Sequence, residues 1–144
     1  MKELKPIGVI STPFKTKKDI PCQGYKSKKT GTIAVFKKYT QGLKDIEGFS
    51  YIWILYLFHK AEKYKPLVKA FLDTKLHGLF ATRYFNRPNP IGMSLVKLIK
   101  RKKNILTIGE VDVLDKTPLL DIKPYVPKFD YRKNAKIGWL RGKL

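Results

Sequence analysis

The sequence predicts an all-β, mainly β fold: a small barrel-like single domain over residues 1–144 with one or two short helices. Three observations carry this. Short β-branched or aromatic runs are separated by clusters of Gly, Pro and Asp. Residues 91–114 read as a plain hairpin. No stretch shows a long, clear helical period. None of the ten glycines lies two residues from another, so there is no Gly-x-Gly dinucleotide or cofactor loop, which agrees with a barrel and not a Rossmann fold.

Lys5–Ser11 reads as the first strand. Residues 12–31 are polar and lysine-rich, with Pro13, Pro21, Gly24 and Gly31 as punctuation, and form a long loop of the kind that often carries function. Thr32–Phe36 is a β-branched strand, and Lys37–Gly42 a helical turn ended by its glycine. Phe49–Phe58 is the strongest strand. Both of its faces are apolar, which predicts burial on both, inside the domain or under a second subunit. Leu67, Val68, Phe71 and Leu72 fit a short amphipathic helix. Leu79–Thr82 reads as a short strand leading into a proline loop. Ile91–Lys100 and Ile105–Leu114 pair through a turn at Arg101–Asn104. Five of the seven residues from Lys97 to Lys103 are basic, which suits either a solvated turn or a phosphate contact. Leu119–Ile122 is a last strand. The tail from Lys128 to Leu144 is basic, with Trp139 expected to dock on the core.

Composition narrows the function. Lys and Arg number 31 against 11 Asp and Glu, a net charge of +20. Such a field attracts polyanions, nucleic acid first and an anionic membrane second. No apolar run approaches a membrane span, and the N-terminus lacks a signal-like apolar region, so a cytoplasmic protein without a membrane partner is expected. A single cysteine and two histidines leave no metal site in prospect. There is no phosphate-binding P-loop and no Gly-x-Ser-x-Gly nucleophile elbow.

The stretch Arg83-Tyr84-Phe85-Asn86-Arg87-Pro88-Asn89-Pro90-Ile91-Gly92 stands apart from the rest. Two prolines fix φ on either side of Asn89 and push the residues before them toward extended geometry. The result is a stiff, arginine-flanked loop, with Gly92 expected to free the chain to turn into the next strand. Together with Ile46-Glu47-Gly48-Phe49 upstream and Leu114-Asp115-Lys116-Thr117-Pro118 through Asp121-Ile122-Lys123-Pro124-Tyr125 downstream, the loop resembles one family in the same order. This is the TsaA-like, or TrmO-type, family of S-adenosylmethionine-binding proteins, and the resemblance covers residues 5–127, leaving 128–144 as a basic tail.

The resemblance implies S-adenosyl-L-methionine as cofactor, a homodimer with the cofactor near its interface, and tRNA as partner. The implied reaction is N6-methylation of threonylcarbamoyl-modified adenosine 3′ of the anticodon. Carried over by position, the cofactor contacts would be Pro21, Cys22, Gln23, His59, Lys60, Arg83, Met93, Asp115, Lys116, Thr117 and Pro118. Arg83 can meet a carboxylate bidentately and Met93 can offer soft apolar contact. Asn89 and Asp121, with Asp115, are candidates for polarising the N6 proton. Arg87, Lys123 and Tyr125 are candidates for holding the threonylcarbamoyl group or a phosphate. The chain departs from the family pattern at Tyr84-Phe85, at Cys22, where arginine is common, and at Lys116, where glycine is common. Two other readings stay open: a cofactor-binding protein without transferase activity, and a basic RNA-binding module.

Overall fold

Eight strands follow one another in the computed structural model, which describes residues 1–21 and 24–144. They are β1 (Gly8–Ser11), β2 (Gly31–Val35), β3 (Tyr51–Leu57), β4 (Leu67–Lys69), β5 (Leu76–Gly78), β6 (Ile91–Lys102), β7 (Ile105–Gly109) and β8 (Thr117–Pro124). Six of them close into an antiparallel barrel in the order β1-β2-β7-β6-β3-β8, while β4 and β5 form a separate two-stranded sheet. The all-β barrel expected from the sequence is the fold observed.

Alternation explains the closure. Each barrel strand turns one residue in two inward, and the inward set is Ile10, Ile33, Ile52, Ile54, Val96, Leu106, Ile108 and Leu119, all buried. β-branched side chains suit this pleated interior, and a barrel this small is filled by side chains rather than hollow. Two register shifts, at Leu98/Lys100 between β6 and β7 and at Leu55/Tyr56 between β3 and β8, give the local bends that closing a six-stranded sheet needs.

Several local expectations are corrected. Leu67 and Val68 lie in a strand, with Val68 opposite His77, and Phe71 is exposed in the turn. A four-residue apolar set that fits one helix turn fits a short hairpin equally well, and the pairing decides. Leu79–Ala81 is a 3-10 turn closed by the Thr82 hydroxyl, which donates to the Leu79 carbonyl at 2.7 Å, and is not a strand. Gly42 sits inside the 3-10 segment Lys37–Leu43, one residue before its end. The strand returning from the basic tip stops at Gly109. The face of β3 opposite the core is half-buried in a single chain, at Tyr51, Trp53, Leu55 and Leu57.

Trp139 docks, but on the hairpin. Its ring stacks on His77 at 4.3 Å between centroids, and its indole N–H donates to the Ala81 carbonyl at 2.8 Å. His77 in turn meets Asp73 at 2.7 Å, and Lys143 approaches the same carboxylate at 3.7 Å. The bond from His77 holds the Asp73 carboxyl down at about 2 from its ordinary 3.8, aided by the backbone N–H groups of Lys75 and Thr74. A depressed carboxyl stabilises the folded state fully above its ordinary value, and that contribution is lost as pH falls toward the folded value. Hydrogen exchange in the β4–β5 hairpin should therefore speed up as pH falls from 3.8 to about 2, after correction for intrinsic rates. Asp73→Asn should remove that pH dependence, and an unchanged profile in the variant would disprove the assignment.

Candidate ligand-binding cleft

At one end of the barrel the inward positions change from aliphatic to polar: Tyr56 on β3, Ser94 on β6 and Thr117 on β8. They do not go unsatisfied. Ser94 donates to Asp112 Oδ1 at 2.7 Å, and the Tyr56 hydroxyl meets Ser94 Oγ at 2.8 Å. Serine has one hydroxyl hydrogen, so with Ser94 donating to the carboxylate, Tyr56 donates to Ser94. Burial pushes the Asp112 carboxyl above its usual range, and the Ser94 bond and the Arg83 charge hold it back. Burial also raises the Tyr56 hydroxyl, which stays protonated and therefore remains a donor.

A cleft opens beside this chain of hydroxyls. Its apolar walls are Ile20, Phe58, Phe85, Val113 and Leu114, and its polar margin is His59, Lys60, Thr117 and Asp112. Phe58 packs edge-on against both Tyr56 and Phe85, at 5.5 and 6.3 Å between centroids. The loop after β1 crosses to the segment after β3: Lys17 donates to the Lys60 carbonyl at 3.0 Å, and its ammonium lies 4.5 Å above the Phe85 ring. Burial, then the neighbouring Lys60 charge, pushes the His59 imidazole below its usual value, so at neutral pH it is uncharged and able both to donate and to accept.

Gly92 sits within β6, directly opposite Tyr56. A Cβ there would come within 2.3 Å of the Tyr56 ring and 2.8 Å of Phe58. The glycine therefore does not free a turn. It provides the space in which two rings of the cleft lie.

The sequence-derived site residues fall into three groups. His59, Lys60 and Thr117 line the cleft. Arg83 is close enough to oppose the rises at Asp112 and Tyr56, and it has no ion-pair or hydrogen-bond partner among the described residues. Asn89 is exposed and does not line the cleft, but its neighbour Pro90 is tied to the wall residue Phe58, whose N–H donates to the Pro90 carbonyl at 2.7 Å. Pro21 follows Ile20 on the same loop, whereas Cys22 and Gln23 lie outside the described residues.

A second group shapes the site from behind. Asp115 accepts from the Thr12 N–H at 2.9 Å and from Lys15 at 2.7 Å, and the Lys15 bond lowers its carboxyl. Lys116 takes the left-handed conformation, φ 63°, and leads into Thr117-Pro118. Arg87 donates to the carbonyls of Thr82 and Tyr84, at 3.0 and 2.8 Å, and so clamps the proline loop from within.

A third group lies elsewhere in the chain. Met93 is exposed on the outer face of the barrel. Asp121 and Pro124 border a hollow at the opposite end, and Asp121 pairs with Lys123 at 3.0 Å. Tyr125 packs edge-on against Trp53. One chain therefore does not bring Met93, Asp121, Lys123 or Tyr125 to the cleft.

The basic hairpin tip is also at the far end, and Arg101 is already engaged, bound to Glu47 at 2.7 Å and to the carbonyls of Leu43 and Lys103.

Tyr56, Ser94 and Asp112 escape a motif-based reading. The signal available for Ser94 is a hydroxyl at an inward position of an otherwise aliphatic strand. For Asp112 it is a lone acid between two valines.

This geometry defines a class: a small closed antiparallel barrel with a part-apolar cleft at one rim and a stiff proline loop tied to it. The chain belongs to the family of the tRNA-methyltransferase O N-terminal domain, which it matches over residues 9–131. It is 55% identical over 137 residues to a "probable S-adenosyl-L-methionine-binding protein" of Pyrococcus abyssi, with 94% of this chain and 74% of that protein covered. It is 38% identical over 136 residues to a tRNA (adenine(37)-N6)-methyltransferase of Escherichia coli, where the match covers 87% of this chain and 58% of that protein. Among solved structures, a crystal structure of TrmO superposes with a TM-score of 0.82 at 37% identity, covering 96% of this chain and 64% of the other. The chain thus spans a little under two thirds of the two TrmO-type proteins.

Overpacking a tight contact costs about 1–3 kcal/mol. Gly92→Ala should lower stability to unfolding by urea by that order, and should also displace the Tyr56 and Phe58 rings. A variant as stable as the wild type would show that the rings move aside freely and that Gly92 does not set the cleft.

Proposed function

We propose that this chain binds S-adenosyl-L-methionine in the cleft and methylates N6 of threonylcarbamoyl-modified adenosine next to the anticodon of tRNA. The observation that carries the reading is the match across the whole barrel to a protein named as a tRNA adenine-N6-methyltransferase. The cleft agrees with it in kind. Its aromatic and aliphatic walls suit an adenosine, and Arg83, which has no ion-pair or hydrogen-bond partner among the described residues, suits a carboxylate. When bound, the cofactor supplies an electrophilic methyl on a sulfonium leaving group.

The chain's own residues then have definable tasks. The N6 nitrogen is a weak nucleophile because its lone pair is delocalised, so alignment matters most. The proline loop, clamped by Arg87 and tied to β3 through Pro90, supplies a rigid edge for that alignment. Asn89 is exposed there, and its amide oxygen is a proton-polarising acceptor at this end of one chain. Lys60 and Lys116, both exposed beside the cleft, offer charge to the anticodon-loop phosphates. The target base lies in a single-stranded loop, so extruding it costs little.

A homodimer belongs to this proposal. On the outer face of β3 and β6, Leu57 pairs with Ile91, Leu55 with Met93 and Trp53 with Leu95, an apolar ladder turned away from the core. A second copy on this face would bury it, and would bring Met93 into an interface. Light scattering at micromolar concentration should give twice the chain mass, and Leu55→Glu with Met93→Glu should give a folded monomer. A monomeric wild type would remove the dimer.

A second reading, a cofactor-binding protein without transferase activity, is favoured by one observation: the Pyrococcus relative is named only for binding. Tritiated methyl transfer separates the two. The threonylcarbamoyl group carries a carboxylate and a hydroxyl, and a site that pairs such groups rejects substrates lacking them by large factors. Transfer should be at least tenfold faster to modified tRNA than to an unmodified transcript. Equal rates would remove recognition of that group, and no transfer to either RNA with cofactor bound would favour the non-catalytic reading.

A further inference from the structure

One basic segment lies against the cleft without lining it. Residues 24–31 form an arch that ends at the start of β2, and both of its feet rest where a side chain would not fit. At Gly24 a Cβ would stand 3.0 Å from Asp112 Oδ2 and 3.3 Å from the Glu110 carbonyl oxygen. At Gly31 it would stand 2.7 Å from the Ser11 carbonyl oxygen. Backbone can approach this closely only at glycine, so the two glycines fix where the arch leaves the body. Between them the buried Ser27 ties the arch to itself. Its N–H donates to the Gly24 carbonyl at 2.8 Å, and its hydroxyl accepts from the Lys29 N–H at 3.2 Å, a turn that serine favours.

What this fixed arch turns outward is one aromatic ring and three cations. Tyr25 is 63% exposed, and Lys26, Lys28 and Lys29 are exposed around it. None of the three lysines meets a carboxylate among the described residues. The Lys26 ammonium lies 5.7 Å from the Tyr25 ring centroid, near the limit of a cation–π contact. A ring held open beside several cations is the combination by which proteins grip unpaired nucleic acid: bases stack on the ring, and the cations follow the backbone. A duplex keeps its bases stacked on one another and has none to offer.

We propose that the arch is a second RNA contact, in which an unpaired base next to the target stacks on Tyr25 while Lys26, Lys28 and Lys29 hold the adjoining phosphates. Gly24 sets the arch against Asp112, a cleft residue, so a nucleotide on Tyr25 is a near neighbour of a base in the cleft. The inference rests on the tRNA reading above and adds to it a contact that distinguishes an open loop from a paired stem.

Fluorescence anisotropy of the full chain with two labelled RNAs tests this: a hairpin with a single-stranded loop, and a blunt duplex of the same stem sequence. The wild type should bind the hairpin more tightly than the duplex. Tyr25→Ala should weaken the hairpin by about fivefold or more, the low end for stacking one base, and leave the duplex unchanged. Tyr25→Phe keeps the ring and should bind like the wild type. Replacing Lys26, Lys28 and Lys29 together by Gln should lower the salt slope on the hairpin by about 2. The same change at Lys100, Lys102 and Lys103, on the far hairpin tip, should have a smaller effect. All these side chains are exposed, and an unchanged affinity for S-adenosylmethionine serves as the folding control. Equal weakening of hairpin and duplex in Tyr25→Ala, or of neither, would overturn the proposal. So would a loss in Tyr25→Phe as large as in Tyr25→Ala, or a tip variant as impaired as the arch variant. Tyr25-dependent binding to phosphatidylglycerol vesicles, with RNA binding indifferent to Tyr25, would overturn it in favour of a membrane surface. If the wild type binds the hairpin and Tyr25 does not matter, the arch inference fails while the tRNA reading survives. If the wild type binds neither RNA, the tRNA reading itself fails.

Discussion

Tyr56 occupies the polar end of the barrel only because residue 92, across the strand pair, has no side chain. Much of the site depends on that close fit. The Tyr56 ring, lying in the space over Gly92, carries its hydroxyl to Ser94 and through it to Asp112. Phe58, packed on the same ring, turns its backbone N–H to Pro90 and so ties the proline loop to β3. The loop's stiffness comes from its prolines, but its position comes from this pair of strands. A loop made rigid by Pro88 and Pro90 yet left untied would present Asn89 at a random angle, and rigidity would then have no value for alignment.

Strain is placed beside the cleft and is matched locally. Glu110, the residue after β7, has φ 53°, in the left-handed region that non-glycine residues seldom occupy. The turn sends Val111 and Val113 into the core and presents Asp112 to the cleft between them. A hydrogen bond at 2.7 Å from the Tyr51 hydroxyl to the Glu110 carboxylate holds the strained residue in place. Lys116, at φ 63°, makes the corresponding turn into β8 on the other side of Asp115. Each such residue costs on the order of 1–3 kcal/mol, so the segment between β7 and β8 keeps its shape because its surroundings determine it more than once.

The barrel itself was legible in the sequence, because short β-branched or aromatic runs separated by Gly, Pro and Asp, the plain hairpin of residues 91–114 and the lack of a long helical period all point to strands. The proline loop was legible because proline acts through local geometry that no tertiary contact reverses. The weaker readings share a cause. Val68 and Phe71 carry an apolar pattern too short to distinguish a helical turn from a three-residue strand, and pairing with Leu76–Gly78 settles the matter from outside the segment. Gly92 looked like a hinge because its neighbour across the sheet cannot be read from its own strand. Asp112 was invisible for the opposite reason: a single acid between valines is ordinary on a surface and becomes distinctive only when the chain folds it under Gly24. Asp121, Lys123 and Tyr125 lie near each other in sequence and resemble a family motif, but β8 runs the length of the barrel and delivers them to the end opposite Thr117. Sequence proximity cannot report which end of a strand a residue occupies.

Closing the six-stranded sheet leaves it without an edge strand. Every one of its strands pairs with two neighbours over all or part of its length, so little backbone is open to strand addition, and self-association of the barrel is left chiefly to side-chain faces. The two-stranded unit of β4 and β5 is the exception among the described residues, because it has open backbone edges. Its strands are three residues long, and Lys69 and Lys75 are exposed within and beside them. Short length and lysine charge are the features by which natural edges resist templating a cross-β stack. For a chain with a large apolar outer face, this confines ordered aggregation to a segment poorly suited to start it.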